Sequence, residues 1–130
     1  MNLDSKDPKP KKKFIGFIFA WRGIVEVYKT ERNFRFHVAA AIGVVAAGFL
    51  FDVTRLEWAV LLTIIPLVMA LEMINSSIER VMDYLSPERD PLVGMIKDIS
   101  AGAVLVASIF AVLIAILIFL PKMISFSWPW

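Results

Sequence analysis

Acidic side chains recur along one stretch of otherwise apolar sequence, between Glu72 and Asp83. At about 3.6 residues per turn, the polar side chains of this stretch share an arc of about 100° on one helix face. We call this set the polar ladder; its members are Glu72, Asn75, Ser76, Glu79 and Asp83. Carboxylates are natural ligands of Mg²⁺, which usually keeps waters and substrate phosphates in its shell. The polar ladder therefore predicts metal-assisted chemistry on phosphates.

Further charged residues are expected at the same membrane interface. Glu31 precedes the first long apolar segment, and Lys97 and Asp98 open the last one. A lysine beside carboxylates can hold nucleotide phosphates, and desolvation of the deepest acid, Glu72, disfavours its ionised form, which suits a base for a lipid hydroxyl. These residues predict phosphoryl transfer from a nucleotide to a membrane alcohol. A polar ladder that serves helix association or ion passage is an equal alternative on the residues alone.

Composition limits the class of protein. The chain has 130 residues, of which 58% are hydrophobic, and a mean hydropathy of +0.71, far above a soluble domain. We therefore expect one integral membrane domain. The net charge is +2, and the basic residues crowd the N-terminal third; beside long apolar helices they indicate a membrane surface and no nucleic acid. The chain has no cysteine, which excludes disulfides and thiol catalysis.

Periodicity predicts an all-α membrane protein with an N-terminal amphipathic interfacial helix and three transmembrane helices. The first helix has apolar residues at helical spacing and charges mostly elsewhere, which is typical of a helix lying in the interface. The predicted segments are a flexible basic tail at 1–13, the membrane domain at 14–122 and a C-terminal aromatic tail at 123–130. Within the domain, the interfacial helix is expected at 14–30 and the transmembrane helices at 34–51, 58–85 and 98–120.

Prolines and small residues refine these helices. Pro66 should bend the second transmembrane helix, the turn-forming residues 86–91 should end it near Leu85, and Pro121 should end the third. Two rows of small residues, four apart, should allow close helix contact. The rows are Ala39, Gly43 and Ala47 in the first helix, and Ala103, Ala107, Ala111 and Ala115 in the third.

The distribution of Lys and Arg predicts the orientation. The N-terminal segment and the loop between the second and third transmembrane helices carry nearly all of them. By the positive-inside rule these parts are cytoplasmic and the C-terminus is outside. Glu72 is then the deepest acid of the polar ladder, and Asp83 is nearest to cytoplasmic water.

Two sets of motifs resemble a known family. The run Glu72-x-x-Asn75-Ser76-x-Ile78-Glu79-x-x-x-Asp83 and the later run Lys97-Asp98-x-x-Ala101-Gly102-Ala103-Val104 resemble the signature of the small prokaryotic diacylglycerol kinases. The segments 21–23 and 30–37 are similar to the Gram-positive branch, whose members act as undecaprenol kinases. The resemblance covers roughly 14–122.

This resemblance implies a homotrimeric lipid kinase of the bacterial plasma membrane, with active sites shared between neighbouring subunits. It implies ATP as the phosphoryl donor, Mg²⁺ as the cofactor and a membrane lipid alcohol as the acceptor. Undecaprenol is the expected lipid, and diacylglycerol is the second candidate within the same chemistry. A non-enzymatic small membrane subunit, whose polar ladder binds a partner helix, is the alternative from a different class.

The resemblance also implies residue roles. Glu72 would be the general base, and Asn75 would organise the base and the substrate. The Mg²⁺ and nucleotide ligands would be Glu31 and Glu79, and further nucleotide contacts would come from Asp83, Lys97, Asp98 and either Lys12 or Lys13.

Other residues are given simpler interpretations. Trp21 would line the lipid entry or serve packing alone, and Trp58, Trp128 and Trp130 would be interfacial anchors. His37 is interpreted as an interfacial side chain, because no metal-ligand spacing surrounds it. Arg80 and Arg89 are interpreted as topology determinants, and Glu26 as solvated surface with a minor nucleotide role left open.

Overall fold

Four helices make up the chain in the computed structural model, which describes residues 12–127, with side chains from 15 to 126. The helices are α1 Lys12–Thr30, α2 Arg32–Leu50, α3 Arg55–Leu85 and α4 Pro91–Ser127. Helices α2, α3 and α4 are each long and apolar enough to cross a membrane. The all-α prediction with three such helices is therefore confirmed.

Helix length places the polar ladder relative to a bilayer. The 31 residues of α3 rise about 46 Å, whereas the hydrocarbon core of a bilayer is about 30 Å thick. If the span starts at the first residues of α3, about 20 residues carry the helix to the neighbourhood of Asn75. Glu79 and Asp83 then lie beyond the hydrocarbon, and Glu72 lies just inside its edge.

Helices α3 and α4 form an antiparallel pair. Leu61 and Ile118 belong to one buried core cluster near the end where α3 begins. At the other end, the Lys97 ammonium lies 2.7 Å from the Asp83 carboxylate. The two contacts fix one register along both helices. Helix α2 packs against α3, and α1 contacts α2 and α3.

Local hydrogen bonds set where α3 and α4 begin. Thr54 and Glu57 form a reciprocal capping box, with the Glu57 N–H 3.2 Å from Thr54 Oγ1 and the Thr54 N–H 2.7 Å from Glu57 Oε2. At the start of α4, Asp90 Oδ1 accepts from the Leu92 N–H at 2.8 Å. Pro91 is the first helical residue, where its missing N–H has no intrahelical partner to lose.

Several predicted helix limits are corrected. Helix α3 ends at Leu85 as predicted, but it begins at Arg55 because of the capping box. Helix α4 begins at Pro91, not at 98, and continues through Pro121 to Ser127, so the prediction that Pro121 ends it is wrong. A proline removes a single backbone donor, and a long helix tolerates this. Trp128 and Trp130 lie outside the described residues, as do residues 1–11.

One tryptophan that was predicted to be an interfacial anchor also packs against a neighbouring helix. Trp58 lies against Gly48 of α2, where a methyl group would come within 2.5 Å of the indole. Gly43, in the predicted small-residue row, has no neighbouring atom within 4 Å of such a methyl group. Gly48 is therefore the glycine that lets α2 approach α3.

Gly48→Ala should destabilise the protein, because the added methyl group collides with the Trp58 indole and overpacking typically costs about 1–3 kcal/mol. Unfolding in detergent, followed by circular dichroism, measures the loss. Gly94→Ala on α4 is the matched control, because nothing lies within 4 Å of the added methyl group, and it should be at least as stable as the wild type. Equal stability of the two variants would contradict the Gly48–Trp58 contact.

Candidate active site

The inward face of α3 changes from apolar to polar along its length. Leu61 and Val68 are buried core residues, and the next positions of the same face are Glu72, Asn75 and Ser76, with exposures of 3%, 7% and 2%. The remaining ladder residues follow in order: Glu79 is half-buried and Asp83 is exposed. The polar ladder thus continues the core face of α3 and runs from the buried interior to the surface.

Residues of α2 and of the α1–α2 junction enclose the Glu72 carboxylate. Asn33, from the first turn of α2, lies within hydrogen-bonding reach of it, and His37, Glu31 and Glu79 are close enough to interact with its charge. Phe34, which is almost completely buried, lies on the same turns of α2. Polar groups on α2 therefore face the buried acid.

Asn75 connects the buried and half-buried parts of the polar ladder. Its Nδ2 donates to Glu79 Oε1 at 3.3 Å. Its Oδ1 is buried and accepts no hydrogen bond from any described residue. Buried acceptors are almost always paired, so this atom marks a place for a donor that comes from outside the chain. A bound water is such a donor.

Glu31 is the single residue between α1 and α2. Its backbone is extended, with φ −100° and ψ 115°, and its side chain does not cap α2. Its Oε1 instead accepts from an Arg80 guanidinium nitrogen at 3.3 Å. The break between two 19-residue helices therefore turns this carboxylate towards α3 and its polar ladder.

Sequence reasoning assigned no role in the site to Arg80, Asn33 or His37. The Arg80 guanidinium also bonds to the Glu26 carboxylate, at 3.5 Å, and to the Thr30 hydroxyl. These partners lie about fifty positions earlier, and no local pattern joins them to α3. The one available signal was the position of Arg80 directly after Glu79 in the charged part of α3.

The other predicted nucleotide residues lie near the surface end of the polar ladder. Lys97 donates to Asp83 at 2.7 Å across the α3–α4 turn. Asp98 is exposed and has no hydrogen bond or ion pair within residues 15–126. The side chains of Lys12 and Lys13 lie outside the described residues. Trp21 is 58% exposed and does not join the buried core.

Two of the carboxylates, Glu31 and Glu79, each leave one oxygen open to a cation. Within the described part of the chain, no three His, Cys, Asp or Glu side chains converge as a metal site. A nucleotide-bound Mg²⁺ needs only one or two carboxylates, because phosphates and waters fill its shell. Glu31 and Glu79 each use Oε1 in a hydrogen bond, and between residues 15 and 126 neither Oε2 has a partner.

An apolar groove of about 190 Å³ lies between α2, α3 and α4. Val44, Val68 and Met69 line it, and its polar contributors are His37 and Ser108. Because Val68 and Met69 lie one turn before Glu72 on α3, the groove ends close to the buried acid. A hydrocarbon chain in this groove would bring its polar end towards Glu72.

These features define a helical membrane protein whose acidic site lies at the border between its apolar core and water. The family model for prokaryotic diacylglycerol kinase matches residues 18–119. An undecaprenol kinase of Bacillus subtilis is 41% identical over 123 residues, which cover 93% of this chain and the whole of that protein. A diacylglycerol kinase of Synechocystis is 36% identical, covering 85% of this chain and 64% of its own length. For a diacylglycerol kinase of Escherichia coli the identity is 38%, covering 73% and 78%.

The chain therefore belongs to the prokaryotic diacylglycerol kinase family. It is a lipid kinase of a bacterial membrane, which takes a nucleotide and a lipid as its substrates. The alternative of a non-enzymatic membrane subunit is set aside.

Lys97→Met should raise the KM for ATP by about tenfold, the usual worth of one charge-assisted contact to a phosphate. The KM for the lipid should stay the same, because Lys97 lies at the surface end of the polar ladder. Lys122→Met is the matched control on α4: it breaks the 3.0 Å pair with Glu57 and should lower the melting temperature without changing the KM for ATP. If both variants changed the KM for ATP to a similar extent, the assignment of Lys97 as a phosphate contact would be contradicted.

Proposed function

We propose that this protein transfers the γ-phosphate of ATP to the hydroxyl of undecaprenol, giving undecaprenyl phosphate for recycling of the cell-envelope lipid carrier. The observation that carries the proposal is the buried Glu72, which lies one turn beyond the groove residues Val68 and Met69 and begins a line of acids that reaches the surface at Asp83. Similarity over the full length of an undecaprenol kinase supports the choice of lipid.

The residues divide the reaction between them. Glu72 accepts the proton of the lipid hydroxyl, whose oxygen forms a bond to the γ-phosphorus as the bond to the ADP oxygen breaks. Asn75 holds Glu79 through Nδ2 and so organises the carboxylates next to the base. Lys97, held by Asp83, and Asp98 contact the nucleotide, together with Lys12 or Lys13.

Glu31 and Glu79 would hold Mg²⁺ through the oxygens that their protein hydrogen bonds leave open. Bound Mg²⁺ would neutralise phosphate charge in the transition state, which is the main contribution a protein can make to phosphoryl transfer. The two carboxylates come from α3 and from the α1–α2 junction, so the relative position of these elements matters for nucleotide binding.

The proposed arrangement in the membrane follows from charge and exposure. The N-terminus and the α3–α4 turn are cytoplasmic, the C-terminus is outside, and α1 lies in the interface with Trp21 near the lipid. Large apolar side chains are exposed on all four helices, and the Ala39–Gly43 row of α2 is uncovered. These surfaces support a homotrimer in which α2 uses its small-residue row.

A direct comparison of lipids tests the proposed substrate. Purified protein in mixed micelles with Mg²⁺ and γ-labelled ATP should label undecaprenol with a higher kcat/KM than diacylglycerol. The reverse preference would make the protein a diacylglycerol kinase that forms phosphatidic acid, and would overturn the proposed substrate while leaving the lipid-kinase assignment intact.

Glu72→Gln should lower kcat by about 10²- to 10⁴-fold, because an amide cannot accept the hydroxyl proton and general-base catalysis contributes about this much. Steady-state rates at saturating ATP and lipid measure the loss of kcat. Glu88→Gln, in the exposed α3–α4 turn, removes an acid outside the polar ladder and should retain the wild-type rate. Wild-type turnover by Glu72→Gln would exclude the base role.

Glu79→Gln should lower the activity and raise the Mg²⁺ concentration needed for half-maximal rate by at least about tenfold, as expected when a ligand of a metal complex is lost. Raising the Mg²⁺ concentration should restore part of the activity. A titration of rate against Mg²⁺ at constant ATP measures the shift, and an unchanged Mg²⁺ dependence would count against Glu79 as a ligand.

A further inference from the structure

Arg80 binds three groups on a distant part of the chain. One terminal nitrogen contacts Glu26 Oε1 at 3.5 Å, and the other contacts Glu31 Oε1 at 3.3 Å and the Thr30 hydroxyl. Among side chains from 15 to 126, it is the one on α3 that hydrogen-bonds to α1 or to the α1–α2 junction. Arg80 therefore ties this junction to the helix that carries the polar ladder.

The junction has a fixed internal shape, and the helices on either side of it also pack against α3. Arg35 donates to the backbone oxygens of Tyr28 and Lys29, at 3.1 and 2.9 Å, and so links the start of α2 to the end of α1. Those bonds lie within the junction and do not set its distance from α3. The Arg80 contacts span the gap between the two elements, and Glu31 moves with the junction.

We propose that Arg80 is a positioning residue that holds Glu31 beside Glu79 for the incoming Mg²⁺-nucleotide. The inference rests on the proposed function, in which both carboxylates serve the nucleotide. Arg80 takes only Oε1 of Glu31 and leaves Oε2 for the cation. Its second nitrogen is directed to Glu26, so that one guanidinium holds two carboxylates and the site stays net negative. A rigid planar fork suits this double contact better than an ammonium group.

A distance measurement tests the tie in the absence of nucleotide, Mg²⁺ and lipid. The chain has no native cysteine, so spin labels can be placed at Lys29→Cys on α1 and Tyr84→Cys on α3, both exposed positions. Labelled protein is diluted with unlabelled protein to suppress distances between subunits. The wild-type background should give a narrow distribution, and Arg80→Gln should broaden or lengthen it.

Arg32→Gln is the matched control, because it removes the same charge next to Glu31 from an exposed residue with no polar partner between residues 15 and 126. It should leave the distance distribution as in the wild type. An unchanged distribution in Arg80→Gln, or an equal change in Arg32→Gln, would overturn the positioning role.

Kinetics supply the second readout. Arg80→Gln should raise the KM for Mg²⁺-ATP by about three- to fivefold, the worth of a partly exposed ion pair, with little change in kcat or in the KM for the lipid. Arg80→Lys should recover part of the loss. A fall in kcat alone would overturn the proposal, as would an unchanged KM for ATP beside an altered distance.

The two readouts separate this inference from the proposed function. If the wild type labels no lipid alcohol, the proposed function fails, and the distance measurement still decides whether Arg80 sets the position of the junction. If Arg80→Gln does not fold, Glu26→Gln removes one of the partners of Arg80 and should produce a smaller change in the same direction in both readouts. No change in either would overturn the proposal.

Discussion

Burial of the Glu72 carboxylate is the constraint on which the rest of the structure depends. An acid inside a membrane bundle is costly unless polar neighbours surround it, and here Asn75 and Ser76 are buried with Glu72 on the same face. Helix α2 must begin nearby so that Asn33 and His37 reach the acid. The short α1–α2 junction follows from this need, because Glu31 can face α3 only if the chain breaks there.

Charged contacts are concentrated at the two ends of the bundle and leave an apolar middle. At one end, Lys97 pairs with Asp83, and Arg80 joins α3 to the α1–α2 junction. At the other end, Lys122 pairs with Glu57, which also completes the capping box of α3. The pairs at the first end have a proposed role in the reaction, and the pair at the second end joins α3 to α4. Leu61 and the buried core around it lie between these two groups of charged contacts.

The sequence predicted the elements that periodicity and family motifs encode. The ladder residues share a helix face whatever α3 packs against, because their spacing alone fixes it. The end of α3 at Leu85 follows from the turn-forming residues directly after it. Asp90-Pro91 and Thr54-x-x-Glu57 were readable start signals that would have given the observed beginnings of α4 and α3. The role of Arg80 was not readable, because its partners come from another helix and only packing brings them within hydrogen-bonding distance.

The central claim is that α3 leaves the hydrocarbon between Glu72 and Asp83, so that a membrane alcohol and a water-borne nucleotide meet along one helix face. Spin labels at Leu67, Ile74 and Val81, exposed positions seven residues apart, can measure depth by collision with oxygen and with a nickel chelate. Over these 14 residues α3 rises about 21 Å. The account predicts that oxygen dominates at 67, and that the chelate gains at 74 and dominates at 81. If the labels at Leu67 and Val81 were equally inaccessible to the chelate, the claim that α3 leaves the hydrocarbon in this region would be contradicted.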